Sequence, residues 1–157
     1  MKDKDAVYFW GGEFSQWYPS IFEIDGVSYN CAEQYMMEQK AVLFGDTKMM
    51  GRIMTTKSPR EQKAFGRKVK DFDATKWEAV AYDIVVRANI AKFSQNPELL
   101  KILLNTENRE IVEASAEDTI WGIGLSPWDP LRFDKKNWKG TNLLGKAIMD
   151  AREELKP

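Results

Sequence analysis

Cys31-Ala-Glu-Gln-Tyr-Met-Met-Glu-Gln-Lys-Ala-Val-Leu-Phe44 is the stretch on which the fold turns. Stepped at about 100° per residue, Glu33, Met36, Met37, Lys40 and Phe44 fall on one side of a helix. Gln34, Glu38 and Gln39 point elsewhere. The pattern predicts a helix from about Cys31 to Leu43, and such a helix ordinarily keeps its charges on the wet face. Glu33 and Lys40 instead share the stripe that should be buried. Charges there are costly unless paired or put to use. A local conflict of that kind marks a candidate site.

The segments on either side carry clear start and stop signals. Val7-Tyr-Phe-Trp10 reads as a short strand ended by Gly11-Gly12, and Phe14-Ser-Gln-Trp-Tyr-Pro19 as an aromatic loop. Asp25-Gly26, between Ile21-Phe-Glu-Ile24 and Val27-Ser-Tyr29, is a strong hairpin signal. Asn30 is placed to cap the quoted helix and Gly45 to end it. Asp46 is placed to cap a short helix through Met54. Ser58-Pro59-Arg60-Glu61 joins a capping box to a proline at the first helical position, for a helix reaching about Lys68.

Asp73 or Thr75 starts the longest helix, to about Phe93, with Trp77, Ala81, Ile84, Val85, Ala88 and Ala91 as its apolar face. Asn96-Pro97 breaks it, and Glu98 to Leu104 continue as another helix. Ile111-Val-Glu-Ala114 and Thr119-Ile-Trp-Gly-Ile123 are strand candidates. Leu125 to Thr141 is a long irregular segment, of the kind that often carries function. Asn142 is placed to cap a last helix that turns Leu143, Leu144, Ala147, Ile148 and Ala151 inward. With no repeat, low-complexity tract or linker, the expectation is an α+β fold: one compact, helix-rich domain over residues 1–157 with a small sheet.

Composition narrows the chemistry. Of the 157 residues 43% are hydrophobic, including six Trp, eight Phe and five Tyr, enough for a real core. The formal net charge of −1 lacks the basic excess of a general nucleic-acid-binding protein and leaves room only for a local basic patch. No apolar run approaches membrane-spanning length, and Met1-Lys-Asp-Lys-Asp5 offers no apolar stretch for a signal peptide. The lone Cys31 cannot form an intrachain disulfide, so a reducing, cytoplasmic setting is expected. The chain has no histidine. That removes the Ser-His-Asp triad, the Cys-His dyad and His-ligated zinc; no metal or cofactor is expected. Carboxylates and lysines remain as the groups with useful chemistry.

Three places could carry it. Glu33 and Lys40 lie two turns apart, a rise of about 10 Å. Side chains lean toward the helix N-terminus, so both heads could meet one small ligand over Met36 and Met37. A lysine in an apolar pocket loses basicity and becomes a nucleophile toward sugar carbonyls. A semi-buried ion pair, or a lysine snorkelling to water, fits the same pattern. The second place joins Glu113-Ala-Ser115 to Asp118-Thr-Ile-Trp-Gly-Ile-Gly124. Its glycines would let a flat ligand approach the backbone beside Trp121, and Asp118 would add a second carboxylate for a glycosidic bond. A turn capped by Asp118 reads equally from the string. The third is Trp138-Lys-Gly-Thr-Asn142, where Asn142 would cap a helix or face a base, and the free N–H groups would suit a phosphate. Arg52 and Arg67 are candidate phosphate contacts.

In order along the chain, several strings resemble the NADAR (YbiA-like) domain family. They are Phe14-Ser15…Tyr18-Pro19, Glu33-Gln-Tyr35…Lys40-Ala41, Ser58-Pro59…Gly66-Arg67, Trp77, Ala91-Lys92-Phe93, Glu113-Ala-Ser115, Asp118…Trp121-Gly122 and Gly140…Asn142…Leu144-Gly145. The resemblance implies an N-glycosidic bond hydrolase. The first expectation is removal of ADP-ribose from guanine bases in nucleic acid. The alternatives are hydrolysis of ribosylated pyrimidine intermediates of riboflavin biosynthesis, or non-catalytic binding of ADP-ribose and other NAD metabolites. It implies catalytic roles for Glu33, Lys40 and Asp118, with Lys40 attacking the anomeric carbon through a Schiff base. Ser15, Tyr18, Tyr35, Arg67, Trp77, Trp121, Gly122 and Asn142 are the implied substrate-binding set. Gln34 stands where some members carry histidine, and Gly122-Ile-Gly-Leu125 replaces an Asp-containing string.

Overall fold

A computed structural model describes residues 5–157. Asp25 and Gly26 both sit at positive φ, 52° and 81°, which lets β2 (Phe22–Ile24) turn tightly into β3 (Val27–Tyr29) as an antiparallel hairpin. The quoted stretch forms α1 (Ala32–Leu43), and Gly45 at φ 66° ends it. The Gly45 and Asp46 N–H groups donate back to the Val42 and Ala41 carbonyls, the pattern a left-handed glycine permits.

Asp46 caps α2 (Thr47–Thr55) by accepting from Met49 N–H, and Ser58 caps α3 (Pro59–Gly66) by accepting from Glu61 N–H. The long helix α4 (Ala74–Ser94) starts at Asp73, whose carboxylate accepts from Thr75 and Lys76. α5 (Pro97–Leu104) follows Asn96. A parallel strand pair, β1 (Ala6–Phe9) with β4 (Glu110–Glu113), forms a second two-stranded sheet, and α6 (Leu143–Leu155) closes the domain. The α+β expectation and the apolar face of α4 are met: Trp77, Ala81, Ile84, Val85, Ala88 and Ala91 are all buried.

The core explains what α1 does. α2 and α3 pack on one side of it and α4 on another, while α4 runs along α6. Helix α1 therefore has little wet face. Gln34 and Glu38, expected in solvent, are buried. Gln34 accepts from Asn30 N–H and donates to Ile53 O, and Glu38 accepts from Tyr29 OH and Gln39. The expected Asn30 cap is also corrected. Cys31 holds the cap position without a side-chain capping bond, its thiol donating instead to Gln62 Oε1, and the Gln16 carbonyl takes the Glu33 N–H. The Asn30 amide is committed elsewhere, to Lys57 O and to Gln62.

Thr119–Ile123 is not a strand. Asp118 Oδ1 accepts from Ile120 and Trp121 N–H, which folds the backbone into a turn. The carbonyls from Thr119 to Ile123 then receive N–H groups from Lys139 to Leu144, so the two segments interlock irregularly. Gly140 permits this crossing: a Cβ there would lie 2.2 Å from the Gly122 carbonyl oxygen. No helix among the described residues is long and apolar enough to cross a membrane.

Candidate active site

Glu33 sits in the first turn of α1, only 7% exposed. A helix N-terminus favours an ionised carboxylate, yet burial outweighs it and pushes the Glu33 carboxyl up to about 7. The charges of Lys63 and Lys40, and the Trp17 indole facing the carboxyl, pull it down; the charge of Asp118 pushes it up. Glu113, at the end of β4, is likewise raised to about 7, by burial first, then by Asp118 and Glu33, with Lys63 opposing. Its Oε2 is buried without a hydrogen-bond partner among the described residues. Glu33 and Glu113, from separate segments, thus both feel the charge of Asp118 from a third, and Lys63 acts on both of them. A carboxyl poised near neutrality can give or take a proton at working pH.

Lys40 is half-buried and lies outside ion-pair distance of Glu33. Its ammonium rests 4.6 Å from the Phe72 ring centroid and 5.9 Å from that of Trp77. Desolvation lowers its pKa, Glu33 partly restores it, and Arg67 lowers it further. The direction suits a nucleophilic amine. Trp77 is buried beneath it, and Arg67 is exposed at the end of α3. Glu33, Lys40, Arg67, Trp77 and Asp118 therefore gather at one place.

Other expected contacts lie elsewhere. Tyr35 is 1% exposed, packed edge-on to Tyr29 and Phe22 in the core. Asn142 is fully buried at φ 54°; its amide accepts from Glu113 N–H and donates to Ile111 O, so it caps nothing and fastens α6 to β4. The first N–H groups of α6 are not free for a phosphate, because Ile120 and Trp121 carbonyls take those of Leu143 and Leu144. Gly122 is no open shelf either. A Cβ there would lie 3.0 Å from Glu113 Oε2, so the missing side chain makes room for that carboxylate. Half-buried Trp121 packs on the core beside it.

Ser15 and Tyr18 belong to the aromatic loop that borders the Glu33 end of α1. Lys92, fully buried on α4, donates to the Ser15 carbonyl at 2.9 Å, and Asn89 donates to Gln16. Burial lowers the Lys92 pKa to about 7. Its bond to the loop, which in turn caps α1, gives it a positioning part. Sequence reasoning missed Lys63 and Trp17 as site residues, and it placed Glu113 in the second cluster without giving it a role. The one available signal was Glu113 itself, a charge ending the apolar run Ile111-Val112 before Ala114.

A compact α+β domain with carboxylates and lysines converging on one helix defines a class, and the chain belongs to the NADAR domain family, whose profile it matches over residues 8–156. It is 47% identical over 146 residues to an N-glycosidase of Acanthamoeba polyphaga mimivirus, covering 90% of this chain and 86% of that protein. It is 31% identical over 144 residues to the N-glycosidase YbiA of Escherichia coli strain K12, covering 92% and 81%. The NMR structure of E. coli YbiA superposes with a TM-score of 0.79 at 29% identity, over 97% of this chain and 85% of that one.

Proposed function

We propose that the protein hydrolyses an N-glycosidic bond, with ADP-ribose attached to a guanine base in nucleic acid as the substrate. The observation that carries this reading is a buried Glu33 held near pKa 7, within electrostatic reach of Asp118, Glu113, Lys40 and Lys63. Relatives named N-glycosidases support the bond class.

In the proposed mechanism the carboxylates stabilise positive charge as it develops at the anomeric carbon. Lys40, in its neutral form, adds its Nζ to that carbon as the bond to the base breaks. The base leaves with a proton, supplied by protonated Glu33 or Glu113. Ring opening gives an imine, and water then adds to the imine carbon, releasing the free sugar and restoring the lysine. Asp118 keeps Oδ2 free of the turn it caps and can accept a ribose hydroxyl. Trp77 and Trp121 wall the sugar, and Arg67 faces phosphate. Cys31 is buried with its thiol pushed up to about 11, so no step needs an oxidising compartment and the proposed setting is cytoplasmic.

The test is mass-spectrometric turnover on ADP-ribosylated guanosine in DNA, beside ribosylated pyrimidine intermediates of riboflavin synthesis. Release of ADP-ribose from the DNA is expected. Turnover of the pyrimidine substrate alone moves the assignment to the small metabolite, and binding without turnover on either leaves a binding module. Borohydride should trap a sugar on Lys40 in the wild type and none in Lys40→Ala, whose turnover is expected to fall by about 10²-fold or more. An adduct mapped to Lys63 instead would reassign the nucleophile.

A further inference from the structure

The charge of this chain is strongly segregated. Residues 48–70 carry eight of the 23 Lys and Arg but one of the 24 Asp and Glu, so this stretch is formally +7 and the remainder −8. All eight cations, Lys48, Arg52, Lys57, Arg60, Lys63, Arg67, Lys68 and Lys70, are exposed, and among the described residues none lies in an ion pair. The stretch is α2, α3 and the segments around them. Their apolar residues Ile53, Met54 and Phe65 turn inward to the core. What faces solvent is a strongly cationic surface, only partly offset by the carboxylates near Lys63 and by Asp46, of the kind that attracts a polyanion.

That surface runs into the candidate active site. Lys63 projects from α3 and acts on both Glu33 and Glu113, while Arg67, one turn further, acts on Lys40. Two exposed aromatics border this surface, Trp17 beside Lys63 of the stretch and Phe72 beside Lys40 of α1. Trp17 is 40% exposed with Lys63 Nζ 6.0 Å from its ring, and Phe72 is 48% exposed with Lys40 Nζ 4.6 Å away. Cations with single aromatic faces beside them match a strand whose phosphates lie on the charges and whose unpaired bases stack. An acidic protein has no use for the stacking faces. A membrane would need an apolar helix face turned outward, and α2 and α3 bury theirs.

The geometry points to the α2–α3 face as a docking track for single-stranded nucleic acid, leading a modified base to Glu33. The inference rests on the proposed N-glycosidase reading and deepens it: the substrate is a polymer, held by its backbone several residues from the scissile bond. If about half the cations meet phosphates, log affinity should fall with log salt at a slope of about −3.

The test uses the whole chain and the triple variant Lys57→Glu, Arg60→Glu, Lys68→Glu, three positions outside the catalytic and binding set. Fluorescence anisotropy with an unmodified single-stranded oligonucleotide, over about 50–200 mM salt, should give that slope for the wild type. The variant should bind at least tenfold more weakly, its slope shallower by about 2, with an unchanged melting temperature. Hydrolysis of ADP-ribosylated guanosine as a free nucleoside should be equal in both proteins. Hydrolysis of the same group in an oligonucleotide should lose at least tenfold in kcat/KM in the variant. Equal turnover of nucleoside and oligonucleotide with no oligonucleotide binding overturns the track and spares the catalytic reading. Salt-dependent binding with no hydrolysis of either supports the track and sinks the catalytic reading. Binding of polyglutamate or anionic vesicles as tight as that of the oligonucleotide overturns the choice of partner.

Discussion

Glu33→Gln should lower turnover by at least about 10³-fold, roughly 4 kcal/mol of transition-state stabilisation, while making the folded protein more stable above neutral pH. Both effects have one origin. Burial holds the folded-state pKa of Glu33 at about 7 against an ordinary 4.5. Between those values the folded protein retains a proton that the unfolded chain releases. The stability contribution is therefore complete below about 4.5 and is lost as pH rises to about 7. Above that, the protein carries a buried carboxylate that glutamine does not introduce. The shift corresponds to about 3 kcal/mol, and a gain of roughly 2–3 kcal/mol at pH 8, or some 5–10 °C in Tm, is expected. Thermal melts at pH 5 and 8, with turnover on the same samples, read both. Turnover within tenfold of wild type, or no gain at pH 8, would remove Glu33 from the mechanism. Asp118→Asn provides a companion measurement. The Asp118 charge raises both Glu33 and Glu113, so its loss should move the pH–rate transition near 7 to lower pH.

Asn142→Ala should destabilise the fold by about 4 kcal/mol. The amide is fully buried and makes two bonds to β4, at 3.0 Å to Glu113 N and 3.0 Å to Ile111 O. Removing it leaves one donor and one acceptor buried, at about 1–3 kcal/mol each. Alanine at φ 54° adds about 1 kcal/mol that asparagine largely avoids. Asn142→Gly should relieve only the backbone part and fall between wild type and alanine. Denaturant melts measure the loss. A tenfold rise in KM with unchanged stability would show instead that the amide meets substrate.

The two variants separate what was legible from what was not. Most caps and turns were legible because each is settled within four residues; Asn30 and Asn142 were not, because distant segments take their amides. Asp46, Ser58, Asp73, Asp25-Gly26 and Gly45 act through short backbone bonds that neighbours alone satisfy. Glu33 was legible as a patterning conflict, because a charge on an apolar stripe stands out wherever the helix packs. Glu38 and Gln34 were misread for the complementary reason. Their burial comes from β3, α2 and residues beyond it, which no helical wheel contains. The segment Thr119–Ile123 has strand composition, and the turn that Asp118 caps, together with its lock to Lys139–Leu144, decides otherwise.

By itself the sequence determined the helices, most of their ends, the hairpin and the identity of the groups able to do chemistry, since a chain with no histidine leaves carboxylates and lysines. Tertiary structure decided which of those groups are poised. Glu113 is held near 7 first because burial strips water from its carboxyl, in the space Gly122 leaves, and then because Asp118 and Glu33 crowd it with like charge. Lys63, an ordinary exposed helix residue in the string, becomes the counter-charge to two carboxylates because α3 packs beside α1. A pKa is set by desolvation and by charges across space, and neither quantity exists until distant segments are brought together.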